Sequence, residues 1–131
     1  MSVNLQQNED IVSISNNIKR LLALNLNDPP DSSSSWIAIP IWLSRLEDIR
    51  AARCNHYLSQ FANLEVAFLD FQMNSLFFSI MDKSSHILNP LQKYTNPVYS
   101  TENYLIFMEA CTHYVDSVLQ LVTDQESESE S

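Results

Sequence analysis

Apolar residues recur along this chain at helical spacing. Ile11, Ile14, Ile18 and Leu21 follow one another at intervals of 3, 4 and 3, with Leu22 beside them and mostly polar residues between. Such intervals place residues on one face of an α-helix, and they predict a first helix from about residue 9. Asn8 is the expected N-cap, and Glu9 and Asp10 suit the positive end of the helix dipole. Pro29 and Pro30 end it. The stretch NDPPDSSSS, residues 27–35, has no period and predicts a linker.

From Ile41 to Asn89 there is neither proline nor glycine. At 100° per residue, Trp42, Leu46, Ile49, Tyr57, Leu64, Phe71 and Phe78 share one sector, with Arg53 and Gln60 as gaps. The pattern predicts one continuous helix over about 40–86, opened by Pro40 in its first turn after an extended Trp36–Ile39. At ~1.5 Å per residue it would be about 70 Å long, more than a compact domain of this size spans. Either it bends, with Asn55–His56 the expected place, or the molecule is elongated. A last helix is expected from Ser100–Thr101–Glu102 to about Thr123. Tyr104, Met108, Cys111, Val115, Val118 and Val122 form its seam, and Phe107, Tyr114 and Leu121 a second line.

The stretch FLDFQMNSLFFSIM, residues 68–81, resolves into two stripes. One holds Tyr57, Phe61, Leu64, Phe68, Phe71 and Phe78, with Ser75 in its vacant place. The other holds Leu58, Ala62, Val66, Leu69, Met73, Leu76 and Ile80. They lie more than about 100° apart around the axis, and a helix with two apolar stripes packs against two neighbours. Those neighbours are the other helices of the chain or, for the phenylalanine stripe, a second chain.

The expected fold is therefore all-α: an elongated helical bundle of three principal helices with a long central helix and coiled-coil-like packing. One helical domain, 9–123, contains the linker and is flanked by a disordered N-terminus, 1–8, and a disordered acidic tail, 124–131. The 131 residues suit one domain.

Composition narrows the function. Glycine is absent, which disfavours tight hairpin turns and glycine-rich phosphate loops. The formal charge is −9, and Lys19–Arg20 is the one adjacent basic pair, so direct nucleic-acid binding is not expected. No apolar run approaches the ~20 residues of a membrane span. Two cysteines without a secretory leader point to a reducing compartment, nucleus or cytoplasm. The charged fraction is 18%, below the usual ~25%, as for a surface partly covered by another protein. The Asn/Ser-rich style and the acidic serine tail have a eukaryotic character.

Candidate chemistry is sparse. Cys54-Asn55-His56 and Cys111-Thr112-His113 repeat a Cys-x-His pattern, yet residues two apart on a helix point about 200° apart and do not chelate together. No metal or cofactor is expected. Glu109 and His113 are the remaining acid–base candidates, and no catalytic set emerges from spacing. Glu47 and Asp48 beside Arg45, Arg50 and Arg53 read as a solvated helix face, or as an ionic docking patch. Trp36 and Trp42 flank IAIPI as a cap on the core or an anchor on another protein. Thr123 and Ser127, each with Glu three residues on, are candidate phosphorylation sites.

The expected function is a small non-enzymatic subunit or adaptor of a larger intracellular assembly. Its partner-binding residues are Trp36, Trp42, Phe61, Phe68, Phe71 and Phe78, since aromatics favour interfaces. One or more protein subunits are the expected partners, a different chain before a second copy. The alternative is a self-contained bundle binding a small apolar ligand or lipid.

Overall fold

The computed structural model describes the backbone of residues 2–24, 34–88 and 101–130, and the side chains of 10–24, 38–85 and 105–122. The described residues are all helical apart from one turn, and contain no strand. They form α1 (Ser2–Leu24), α2 (Ser34–Gln60), α3 (Leu64–Leu88) and α4 (Thr101–Glu130).

The long central helix of the sequence reading is in fact two helices. The break falls at Phe61, Ala62 and Asn63, not at Asn55–His56. Its chemistry is local. The Phe61 N–H still bonds back to the Tyr57 carbonyl at 2.9 Å, but the Asn63 N–H bonds to the Phe61 carbonyl at 2.8 Å, a tighter closure than a helix makes. The Asn63 side-chain oxygen then accepts from the amides of Glu65 and Val66 at 3.0 and 3.3 Å. Asn63 is thus the N-cap of α3, satisfying amides that a new helix leaves without partners. The apolar positions keep a common phase through the break, so their period alone does not reveal it.

The turn folds α3 back along α2. The Arg50 Nη1 reaches Asp70 Oδ1 at 2.9 Å, whereas in a straight helix residues twenty apart would be separated by about 30 Å. The two halves of the expected central helix therefore lie side by side rather than end to end. Each helix packs on the next, and α4 closes on α1. Lys19 meets Asp116 at 2.7 Å. Leu22 and Ala23 share a cleft with Leu105, Met108 and Glu109, so α1 and α4 run antiparallel.

Pro40 lies inside α2 and does not open it. An interior proline costs about 3 kcal/mol in lost hydrogen bonding and steric conflict. Buried Ile39, together with Leu43 and Leu46, ties that end of α2 into the core and offsets the cost. Ser34 and Ser35 belong to α2, while the rest of the linker lies outside the described residues. Likewise α1 begins before Asn8, and α4 continues past Thr123 to Glu130, with no proline or glycine to stop it.

The core follows the predicted seams of α1 and α4. Ile11, Ile14, Ile18, Leu21 and Leu22 are buried, as are Met108, Cys111, Val115, Val118 and Val122. The second line of α4, Phe107, Tyr114 and Leu121, is buried too. A helix touching α1 on one side and α3 on the other needs that wider apolar face.

Candidate functional site

Two features could carry function: the outer face of α3 and a charged cluster inside the bundle. On α3 the two stripes part company. Met73 and Ile80 are buried, and Leu69 and Leu76 pack partly buried on the core. On the opposite face Phe61 is 49% exposed, Phe68 60%, Phe71 69%, Phe78 62% and Leu64 86%. Phe61, in the turn, packs its ring on Tyr57 at 5.0 Å between centroids. Phe78 meets Phe77 edge-on at 5.5 Å, and Phe77 reaches Tyr114 at 6.2 Å. The outer face is thereby braced against the core without being covered.

The six expected partner-binding residues do not form one surface. Phe61, Phe68, Phe71 and Phe78 share the α3 side. Trp42 lies between α2 and α1, partly buried on the core, beside Ser13, Asn16, Asn17 and Arg20. The Arg45 guanidinium stands 5.4 Å from its ring centroid, a cation–π contact. The Trp36 side chain lies outside the described residues. Leu64, the most exposed of the large apolar side chains here, belongs with the phenylalanines.

The charged cluster corrects another expectation. Glu47 and Arg50 do not belong to a solvated face, for Arg50 is 1% exposed and Glu47 4%. Arg50 donates in bidentate fashion to Glu47, Nε to Oε2 at 2.9 Å and Nη2 to Oε1 at 2.5 Å. Its Nη1 donates to Asp70 Oδ1 and, at 3.3 Å, to Cys54 Sγ. The Tyr114 hydroxyl donates to Glu47 Oε2. One guanidinium therefore joins α2 to α3, and its carboxylate partner joins α2 to α4. Burial pushes the Arg50 pKa down, but the hydrogen bonds and charge of Glu47, with Asp70, outweigh it and the net movement is upward. The phenol of Tyr114 is pushed up by burial, and further by its bond to Glu47. Proton exchange near neutral pH is therefore foreign to both groups, and the cluster works as a polar clamp. It could have been anticipated: Ile39, Leu43, Leu46, Glu47, Arg50 and Cys54 share one face of α2.

Cys54 and Cys111 are buried and form no disulfide, while His56 and His113 are exposed. The Cys-x-His pairs are thus split between core and surface. Among the described residues no three metal-ligating side chains cluster, and no helix is long and apolar enough to cross a membrane. Two open clefts flank α4. One of about 680 Å³ lies against α1 and includes Lys19, Glu109, His113 and Asp116. One of about 430 Å³ lies against α3 and includes Leu69, Met73 and Leu76. Glu109 and His113 both border the first.

Burial pushes the Cys111 thiol up from 9.0 to about 12, with the charge of Lys83 acting the other way. A thiol with a raised folded pKa contributes its stability in full below the unfolded value and loses it as pH rises. The melting temperature is expected to fall as pH climbs from about 9 toward 12, and less steeply in Cys111→Ala. Equal slopes in the two proteins would show that this thiol is not held neutral by the fold.

Comparison with protein-family models, with curated proteins and with solved structures finds no match to this chain.

Proposed function

We propose that the protein is a small non-enzymatic subunit or adaptor of a larger assembly in the nucleus or cytoplasm, acting through helix–helix packing of α3 against partner chains. The observation that carries this reading is the outer face of α3, where Leu64, Phe68, Phe71 and Phe78, with Phe61 in the turn before them, stand half to mostly exposed. At ~200 Å² per large side chain they present roughly 600 Å² of apolar surface, the upper end of what monomers leave uncovered. Covering it would return about 25 cal/mol per Å². The apolar intervals along the face match the knobs of coiled-coil-like packing. The net charge of −9 favours protein over nucleic-acid partners. The two buried thiols, neither in a disulfide, suit a reducing compartment.

The test is affinity capture of the tagged chain from its native source, read by mass spectrometry. A companion chain captured by the wild type is expected to be lost or strongly reduced with Phe68→Ala/Phe71→Ala. A companion set indifferent to that double substitution overturns the reading.

A further inference from the structure

We propose that the occupant of this face is a second copy of the chain, α3 pairing antiparallel with α3 about a two-fold axis between Asn74 and Ser75. The inference rests on the docking reading above and names a partner for it.

The exposed strip of α3 is self-complementary. Leu64, Phe68, Phe71 and Phe78 share one line, and Ser75 fills the place between the last two. A two-fold axis beside Ser75 sets Phe71 against Phe78 of the second copy, and Phe78 against Phe71. It also puts the small serine where the helices come closest. Isologous contacts have this reciprocity.

The charges flanking the strip select the direction. The chain's acidity is not gathered here: between Leu64 and Ser85 the exposed charged residues are Glu65, Asp82 and Lys83. Glu65 and Lys83 are eighteen residues apart, five turns at 3.6 residues per turn, and so lie on the same flank. Antiparallel pairing sets like flank against like flank, and flanking charges fix orientation in paired helices. Each Glu65 then meets Lys83 of the second copy, once at either end. Asp82, four residues after Phe78, lies on the line of the strip at its C-terminal end, where it falls opposite Ala67 of the second copy and beside its own Lys83.

At ~200 Å² per large side chain, Leu64, Phe68, Phe71 and Phe78 expose roughly 550 Å² per copy, so two copies remove roughly 1,100 Å² of apolar surface, close to the lower bound of a specific interface before its rim is counted. The sequence alone favoured a different chain as partner, but the Glu65–Lys83 relation has meaning only once α3 is known to start at Leu64 and to turn this side outward.

Sedimentation equilibrium on the full chain, between about 1 and 100 μM, tests this directly, since interfaces of modest area bind in or below that range. The expected species is a reversible dimer of twice 15.1 kDa. Phe71→Ala is expected to weaken it at least about tenfold. Glu65→Lys and Lys83→Glu are each expected to weaken it roughly three- to tenfold, and the double swap to restore it within about twofold. Phe71 and Lys83 are exposed, so circular dichroism and thermal melts of their variants, at low protein concentration where the monomer prevails, should be unchanged and serve as the control, while Glu65→Lys, which puts a base in the first turn of α3, is expected to lower the melting temperature by no more than about 4 °C. A dimer indifferent to Phe71→Ala, or a double swap as weak as the single ones, overturns the proposed pairing. A monomer whose captured companion is still lost with Phe71→Ala overturns the second copy and leaves the docking face. A monomer whose companions ignore Phe71→Ala overturns both.

Discussion

Arg50→Met is expected to lower the unfolding free energy by about 3–5 kcal/mol, a third or more of the stability of an ordinary domain. The substitution keeps most of the side-chain volume, so the loss is electrostatic. It strands Glu47, nearly all of it inside the bundle, with the Tyr114 hydroxyl as its remaining neighbour in the cluster, and it removes the tie to Asp70. A carboxylate without its counter-ion at such a place pays desolvation that nothing returns. The pair itself need not stabilise the fold relative to an uncharged one. Glu47→Gln/Arg50→Met, which removes both charges and keeps an acceptor for Tyr114, should therefore stand closer to the wild type than Arg50→Met alone. Urea titrations of the three proteins measure both quantities. A loss below about 1 kcal/mol in Arg50→Met would mean that water reaches the cluster in solution.

The two faces of α3 are expected to answer differently to the same truncation. Ile80 is fully buried, and Ile80→Ala should cost about 2–5 kcal/mol through lost transfer energy and a cavity. Phe71 is 69% exposed, and Phe71→Ala should leave the isolated fold nearly unchanged while shrinking the apolar patch. Its effect belongs to assembly, where loss of an aromatic anchor costs about 2 kcal/mol or more. Thermal melts at low protein concentration, compared with binding or sedimentation at high concentration, separate the terms. If Phe71→Ala unfolds the chain as Ile80→Ala does, the phenylalanine face is part of the core and carries no docking function.

The sequence by itself determined the helical character, the seams of α1 and α4, and the division of α3 into two apolar stripes. Each is a local property. A period of 3.6 shows directly in the order of residues, and Ile11, Ile14 and Ile18, or Cys111, Val115 and Val118, have no second arrangement that buries them as a helix. The tertiary structure decided what depends on residues distant in the chain. The turn at Phe61–Asn63 could not be separated from continuous helix by period, because the stripe runs through it in phase. Only the return of Asp70 to Arg50 shows that the chain reverses there. Glu47 and Arg50 looked like surface because charged side chains usually are. They are interior because α3 brings Asp70 and α4 brings Tyr114 to the same point, satisfying together what neither could alone. Which stripe of α3 turns outward was settled in the same way. Both are apolar enough to be core, and the outward one is the stripe left over once α2 and α4 had taken the positions beside Met73 and Ile80.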